Sequence, residues 1–178
     1  MDIYTTDLIQ NLFIRQATKE DIPFIEKMYE ARVEYNEAHD IHQWYADEVS
    51  WAAFSKTYEI SDYYVGIYKK TIVCGFFIVD VDALYWPDKK QGEALYLHKI
   101  CVDPKYKGRG FADCLITFFK NKGCYENYPL VRLDVREHKG TLRAMYERNG
   151  FTLVGTGRFN IEFTTALYEY KCEEKQHA

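Results

Sequence analysis

The sequence lacks the marks of several protein classes. Its five cysteines are scattered and form no CxxC pair, which is untypical of a zinc site or a disulfide framework. No apolar run reaches the roughly 18 residues that cross a bilayer, and the first residues show no basic segment followed by an apolar core. We therefore expect reduced thiols, no bound metal, no membrane segment and a cytoplasmic location.

An excess of positive charge is also missing. The formal net charge is −4 and the sequence pI is near 5.8. A domain that holds nucleic acid through its phosphates is usually basic. Nucleic acid is therefore not expected as the main partner.

What the sequence does contain suits one globular domain over residues 1–178. Of the 178 residues 47% are apolar, and the 16 Tyr and 11 Phe argue against disorder. No repeat, low-complexity tract or linker rich in Pro and Ser divides the chain.

Hydrophobic periodicity predicts an alternation of strands and helices. Strands are predicted over residues 11–17, 63–68, 72–81, 94–102, 130–135, 151–154 and 161–170. Helices are predicted over residues 19–35, 41–58, 110–122 and 141–149. Thr18 is expected to cap the first helix, with Asp21 in place of the usual Glu, and Gly150 to end the last one. This order is typical of an α/β or α+β layered domain.

The most informative segment runs from residue 97 to residue 112. An apolar strand ends at Val102, a basic loop follows, and Gly108 and Gly110 then open an amphipathic helix. A helix N-terminus carries unpaired N–H groups and partial positive charge, and glycines let an anion approach the backbone. The segment therefore predicts a phosphate-binding turn; a surface turn with solvated lysines is the alternative. The basic residues of the loop are Lys105, Lys107 and Arg109.

Two other phosphate motifs fit this segment worse. A P-loop requires Lys and Ser or Thr after its second glycine, and here Phe111 and Ala112 follow. A dinucleotide-binding turn needs a third Gly or Ala three residues past the second, and Asp113 occupies that place.

The same segment resembles the acetyl-coenzyme A motif of the GNAT superfamily of N-acetyltransferases, Gln/Arg-x-x-Gly-x-Gly/Ala. In this chain it reads Lys107-Gly-Arg-Gly-Phe-Ala112, and Lys107 departs from the usual Gln or Arg. A second motif matches downstream, with Leu133-Asp-Val-Arg followed by Met145-Tyr-Glu-Arg-Asn-Gly-Phe151. The family often carries Asn seven residues before its Tyr, where this chain has Lys139.

The resemblance implies a fold, a cofactor and a set of contacts. The expected fold is a mixed, mostly antiparallel sheet of about seven strands flanked by about four helices. The expected cofactor is acetyl-coenzyme A, whose pyrophosphate would lie on the N–H groups of the turn and whose pantetheine arm would follow the main chain of Ile100 and Val102. The cofactor-binding residues that it predicts are Ile100, Cys101, Val102, Lys107, Gly108, Arg109, Gly110, Phe111, Ala112 and Lys139.

The resemblance also suggests the groups that carry the chemistry. Tyr146 matches the family's acid, which protonates the leaving thiolate; packing beside Met145 is the alternative. Strand alternation places Tyr96, His98, Ile100 and Val102 on one face, so His98 is predicted as the base, with a structural hydrogen bond as the alternative. Alternation turns Cys101 to the opposite face, and a covalent acetyl-cysteine is not expected.

The acceptor side is the least specific part of the prediction. In the family, the first two helices and the late strands line the acceptor side. This chain has acidic and aromatic residues in the first two helices, and such residues suit a cationic amine. A solvated helix face with core aromatics is the alternative. The weak substrate-side predictions are Glu34, Tyr35, Trp44 and Tyr96.

Three functions follow from the resemblance. The first is acetyl transfer to a small amine, a polyamine, an amino acid or an antibiotic by direct attack in a ternary complex. The second is acetylation of a protein N-terminus or lysine, and the third is a non-catalytic acyl-coenzyme A sensor. Dimers are frequent on this fold, so a homodimer is one assembly to expect.

Overall fold

The computed structural model of the chain describes residues 11–87, 89–159 and 162–172. The residues fall into two compact units. The first contains the described residues up to Phe77 together with Lys99–Leu115, and the second contains Ile78–His98 and the described residues from Ile116 onward.

Seven strands form one mixed sheet in the order β1-β2-β3-β4-β5-β7-β6. Four α-helices accompany them in the described part of the chain. This arrangement confirms the fold predicted from the sequence. The strands are β1 Leu12–Gln16, β2 Tyr63–Tyr68, β3 Thr71–Val79, β4 Ala94–Val102, β5 Leu130–Arg136, β6 Thr152–Gly157 and β7 Thr165–Lys171. The helices are α1 Ile22–Ala38, α2 Trp51–Phe54, α3 Phe111–Tyr125 and α4 Gly140–Arg148.

The first unit is built on the antiparallel strands β1, β2 and β3. Lys69 and Lys70 join β2 to β3 with φ angles of 48° and 67°, the left-handed pair that matches the twist of a two-residue hairpin. The apolar residues of α1 recur at helical spacing, and this face is buried against aromatic side chains from α2, β2 and β3. This core includes Ile25, Met28, Tyr29, Val33, Phe54, Tyr63 and Phe77.

The second unit contains the parallel pair of the sheet. The first half of β4 runs parallel to β5, from Ala94 opposite Leu130 to Leu97 opposite Leu133. β7 pairs antiparallel with both β5 and β6. Gly150 follows α4 with a φ of 87°, so the predicted glycine stop is confirmed.

The predicted second helix, over residues 41–58, is wrong in extent. Asp40 adopts a left-handed φ of 54°, and the chain then forms only a 3₁₀ turn at Ala46–Glu48 and the four residues of α2. Ser50 starts α2 by accepting a hydrogen bond from the N–H of Ala53 at 3.2 Å. The residues of this segment that pack in the core of the first unit do so from turns and short helical segments rather than from one face of a long helix; they are Trp44, Val49, Trp51, Phe54 and Tyr58.

The prediction of reduced thiols is wrong for one pair. Cys124 and Cys172 form a disulfide with 5.1 Å between their Cα atoms, although 48 positions separate them in the chain. Cys74, Cys101 and Cys114 are free thiols. The pairing arises because the chain after β7 returns beside the end of α3, which no local sequence pattern reveals. The cysteines therefore no longer support a reducing compartment.

None of the helices in the described part of the chain combines the length and the apolar character needed to cross a bilayer.

The start of the first unit depends on a buried carboxylate. Asp21 is 6% exposed and accepts hydrogen bonds from Arg15 at 2.7 and 2.9 Å and from the N–H of Thr18 at 2.8 Å. The hydrogen bonds from Arg15 hold the pKa of the Asp21 carboxyl below its usual range, although burial opposes this.

We therefore expect Asp21→Asn to lower the free energy of unfolding by about 2 kcal/mol at neutral pH. Because the pKa is lowered in the folded state, this contribution is present above the unfolded value of about 4 and is lost as the pH falls through the folded value. Urea unfolding of both proteins at several pH values measures the difference. The exposed Asp47→Asn serves as control, and a difference that stays constant down to acid pH would contradict the ion-pair origin.

Candidate functional site

The segment after β4 makes a fixed turn before α3. The N–H of Asp103 donates to the carbonyl of Val73 at 2.8 Å, and the Asp103 carboxylate accepts the N–H of Lys105 at 2.9 Å. One 3₁₀ turn follows, at Pro104–Tyr106. These bonds and the fixed φ of proline end the strand and redirect the chain.

Two glycines then bring the chain to the start of α3. Gly108 and Gly110 have φ angles of 76° and 87°, which side chains rarely tolerate. A Cβ placed on Gly108 would meet no atom within 4 Å, so the space beside it is open. Cys114 donates to the carbonyl of Gly110 at 3.1 Å, and the N–H groups before it in the first turn have no carbonyl four residues back within the helix. Residues 103–112, the 103–112 turn hereafter, therefore present backbone donors and a positive helix end to an anion.

Aromatic packing holds this helix start in place. Phe111 is buried, and its ring lies edge-on to Tyr68 at 5.3 Å and to Tyr106 at 5.6 Å between centroids. The donors of the 103–112 turn therefore rest on a rigid apolar base within the first unit.

The basic side chains of the turn are exposed. Two of them make cation–π contacts with tyrosine rings. Arg109 lies over the ring of Tyr106 at 5.3 Å. Lys107 donates to the hydroxyl of Tyr35 at 2.7 Å and lies 4.8 Å from the centre of its ring. Tyr35 is one of the residues predicted on the acceptor side, and the structure shows that it contacts Lys107 of the 103–112 turn.

The alternation assumed for β4 is interrupted. Lys99 has a left-handed φ of 52° in the middle of the strand, so a period of two does not run from Tyr96 to Val102. Strand alternation therefore does not place His98 on one face with Ile100 and Val102. Cys101 lies in the core of the first unit, and burial raises the pKa of its thiol to about 12, which makes it a poor nucleophile.

Two side chains of α1 donate hydrogen bonds to main-chain carbonyls at the end of β4. The Tyr29 hydroxyl donates to the carbonyl of Lys99. Arg32 donates to the carbonyl of Val102 through Nε at 3.1 Å and also through Nη2. Of the main-chain groups predicted to contact a cofactor, the Val102 carbonyl is therefore already engaged. Ile100 is half-buried.

In the second unit, His98 lies between two carboxylates. Its Nε2 is 3.5 Å from Oδ2 of Asp82, and its Nδ1 is 3.6 Å from Oδ1 of Asp134. The other oxygen of Asp82 accepts the N–H groups of Leu84 and Tyr85 at 3.1 and 3.0 Å. Both ring nitrogens thus face acidic groups, which the sequence reasoning missed. The sequence signal was the single acidic residue of the strand β5, Asp134, and it gave no indication of Asp82.

Tyr146 is buried in the second unit beside Phe151 and Tyr168, at 6.3 and 6.2 Å between ring centroids. Burial raises the pKa of its hydroxyl, and the charge of Asp134 adds to this effect. The hydroxyl is therefore protonated at neutral pH, as a proton donor must be.

Tyr96 belongs to a buried ion network. Its hydroxyl accepts from Nη1 of Arg132 at 3.1 Å, and Arg132 also pairs with Glu93 and Glu169, each at 2.8 Å. Burial raises the pKa of Tyr96. These contacts give Tyr96 a structural role and make it a poor base.

The remaining predicted residues lie elsewhere in the two units and differ in burial and packing. Lys139 precedes α4, and burial lowers the pKa of its ammonium, with a smaller effect from Arg136. Trp44 packs on Tyr29 at 5.3 Å, with Lys99 5.9 Å from its ring centre. Glu34 is exposed on α1, and Ala112 is half-buried in the first turn of α3.

The sequence of the chain matches a known protein family. A family described as "Acetyltransferase (GNAT) domain" matches residues 59–153, which is more than half of the chain. No curated protein sequence matches the chain significantly.

Several solved structures share the fold. A GNAT-family acetyltransferase from Listeria monocytogenes is 22% identical, with a TM-score of 0.75 over 90% of this chain and 94% of that one. The PaiA N-acetyltransferase of Thermoplasma acidophilum, in complex with coenzyme A, is 14% identical, with a TM-score of 0.68 over 90% and 98%. The ribosomal-protein-S18-alanine N-acetyltransferase of Escherichia coli is 14% identical, with a TM-score of 0.64 over 93% and 97%.

Proposed function

The chain belongs to the GNAT acetyltransferase family, and from that membership we propose that it transfers an acetyl group from acetyl-coenzyme A to a primary amine by direct attack. The observation that carries the proposal is the 103–112 turn, where two left-handed glycines lead into the open N-terminus of α3. That turn coincides with the Lys107–Ala112 motif that resembles the family's cofactor signature.

In this proposal the pyrophosphate of acetyl-coenzyme A binds the backbone N–H groups between Lys107 and Ala112. Such groups hold phosphate because they are unpaired in the helix and carry the positive end of its dipole. The exposed Arg109 and Lys105 add positive charge nearby. Ile100 and the main chain of Val102 are proposed to contact the pantetheine arm, except at the Val102 carbonyl, which Arg32 already occupies.

A side chain at Gly110 should therefore block the cofactor. We expect Gly110→Glu to weaken coenzyme A binding by about tenfold or more, because a carboxylate would lie where a phosphate belongs. Isothermal calorimetry measures the affinity. Gly92→Glu is the control for the backbone strain, since the φ of Gly92, 82°, is close to the 87° of Gly110, and a Cβ on Gly92 would meet no atom within 4 Å. Equal affinities in the two folded variants would remove the main support for the proposal.

The chemistry of acetyl transfer needs a neutral amine, a stabilised oxyanion and a proton for the departing thiolate. Tyr146 is proposed as the acid, because its raised pKa keeps the hydroxyl protonated and its burial excludes competing water. A positioned acid of this kind contributes roughly 10²–10⁴-fold to the rate.

Tyr146→Phe should lower kcat by about 10²-fold and leave coenzyme A affinity unchanged, because only the transferable proton is removed. Steady-state rates and calorimetry together separate the two effects. Tyr125→Phe, at a tyrosine that is 77% exposed, is the control. A variant with normal kcat would return Tyr146 to a packing role.

His98 remains our proposed acceptor for the proton of the amine, directly or through a water. Its side chain is 12% exposed, and Asp82 and Asp134 flank it. A carboxylate beside a catalytic histidine stabilises the imidazolium that proton uptake creates. This arrangement supports the role, although the strand alternation that first suggested it does not hold.

The acceptor we propose is a small primary amine such as a polyamine, an amino acid or an antibiotic. Two alternatives come from the family. One is a protein N-terminus or lysine, which the name of the Escherichia coli S18-alanine enzyme illustrates for that protein. The other is an acyl-coenzyme A sensor that transfers nothing.

A turnover screen distinguishes these functions. We expect acetyl-coenzyme A to release free thiol when small primary amines are added, and Gly110→Glu to abolish the release because the cofactor no longer binds. Release with peptides alone would indicate a protein-modifying enzyme, and tight cofactor binding without release would indicate a sensor.

A further inference from the structure

Three ionisable side chains from separate elements of the second unit converge on one point. Asp82 follows β3, His98 lies on β4 and Asp134 lies on β5. One ligand-type atom from each lies within 4.8 Å of the other two. We propose that this cluster is a binding site for a divalent transition-metal ion of the zinc class.

The first support is a buried oxygen without a hydrogen bond. Among the described residues, Oδ2 of Asp82 is inaccessible to solvent and has no hydrogen-bond partner, and the Asp82 side chain is 5% exposed. A buried carboxylate oxygen left in this state is costly unless a cation compensates it. Since Oδ1 of the same carboxylate already accepts two backbone N–H groups, its orientation is fixed and Oδ2 points at His98.

The second support is the spacing. The nitrogen–oxygen distances of 3.5 and 3.6 Å exceed the roughly 2.7–3.2 Å of an N–H···O hydrogen bond. Ligands about 2.0–2.2 Å from a tetrahedral zinc ion lie about 3.4 Å from one another. The pair of Asp82 Oδ2 and His98 Nε2 matches that ligand separation. A carboxylate oxygen of Asp134 lies within 4.8 Å of the ligand atoms of the other two residues and completes the set of three.

The third support is charge. Two carboxylates beside a neutral imidazole carry two negative charges, and a divalent ion neutralises both, whereas a proton on His98 neutralises one.

One imidazole nitrogen and two carboxylates form a ligand set that suits zinc, with a fourth position open to water. Such an ion would take the lone pair that proton transfer at His98 requires. Occupancy by a metal ion would therefore block the proposed proton uptake at His98, whereas the empty site leaves that role intact. The metal site itself does not depend on the proposed acetyl transfer.

The test is metal titration of chelator-treated protein. Calorimetry with Zn²⁺ and visible absorption with Co²⁺ should each show one saturable site, and Zn²⁺ should raise the melting temperature through linkage. Asp82→Asn, Asp134→Asn and His98→Gln should each weaken Zn²⁺ binding by about tenfold or more, since each removes one of three ligands. Asp82→Asn keeps the oxygen that bonds Leu84 and Tyr85, so it should remain folded.

Glu137→Gln and His138→Gln are the matched controls. Both side chains are exposed, and the two changes remove a carboxylate and an imidazole that lie a few residues from Asp134 in the chain. Affinity should be unchanged in these two. Absence of saturable Zn²⁺ binding, or binding that survives both Asp82→Asn and His98→Gln, would overturn the proposal. Binding that is lost only when Cys114 is replaced would overturn it as well, since the ion would then lie on that thiol.

Discussion

The N-terminus of α3 depends on two residues with left-handed backbone angles. Gly108 and Gly110 alone in the 103–112 turn adopt φ values above 70°, and without them the chain could not leave the Asp103 turn and enter a helix within so few residues. Phe111 then fixes the direction of the helix by packing on Tyr68 and Tyr106. The local backbone constraint thus determines where unpaired donors and positive potential appear, and those donors are what the proposed cofactor needs.

The buried charges of the second unit fall into two kinds. Arg132 is 1% exposed, yet Glu93, Glu169 and Tyr96 all accept hydrogen bonds from it, and the ring of Trp86 lies 4.8 Å away. A buried ion with a hydrogen bond from each of its three nitrogens is a structural element, which is expensive to break and leaves little room for a ligand. Asp82 differs, because one of its oxygens has no hydrogen bond in the described structure. Of these two clusters, the one around Asp82 therefore leaves an oxygen available to a ligand.

Local patterns predicted the fold well where residues act on their neighbours. The bounds of β4 match the prediction, because Asp103 and Pro104 end the strand through their own backbone chemistry. The predicted helix over 41–58 failed because periodicity cannot separate a long amphipathic helix from aromatic residues that reach the core from turns. The left-handed φ of Lys99 has no sequence signal, since lysine is not a residue that favours this backbone conformation.

The candidate site was predictable only in part for the same reason. The glycine turn and Tyr146 lie within short motifs, so their identity follows from spacing. Asp82, His98 and Asp134 meet through the pairing of β4 with β5 and a loop after β3, over distances in sequence that no local pattern covers. Tyr35 likewise reaches Lys107 from 72 positions away.

The disulfide has a thermodynamic consequence for one part of the chain. Cys124 and Cys172 close a covalent ring of 48 positions that contains β5, α4, β6 and β7, while β4 lies outside it. A ring of this size lowers the entropy of the unfolded chain by the equivalent of about 4 kcal/mol at 25 °C. Four elements of the second unit therefore carry a covalent restraint that the first unit lacks, and oxidation state alone changes how far the unfolded chain can expand.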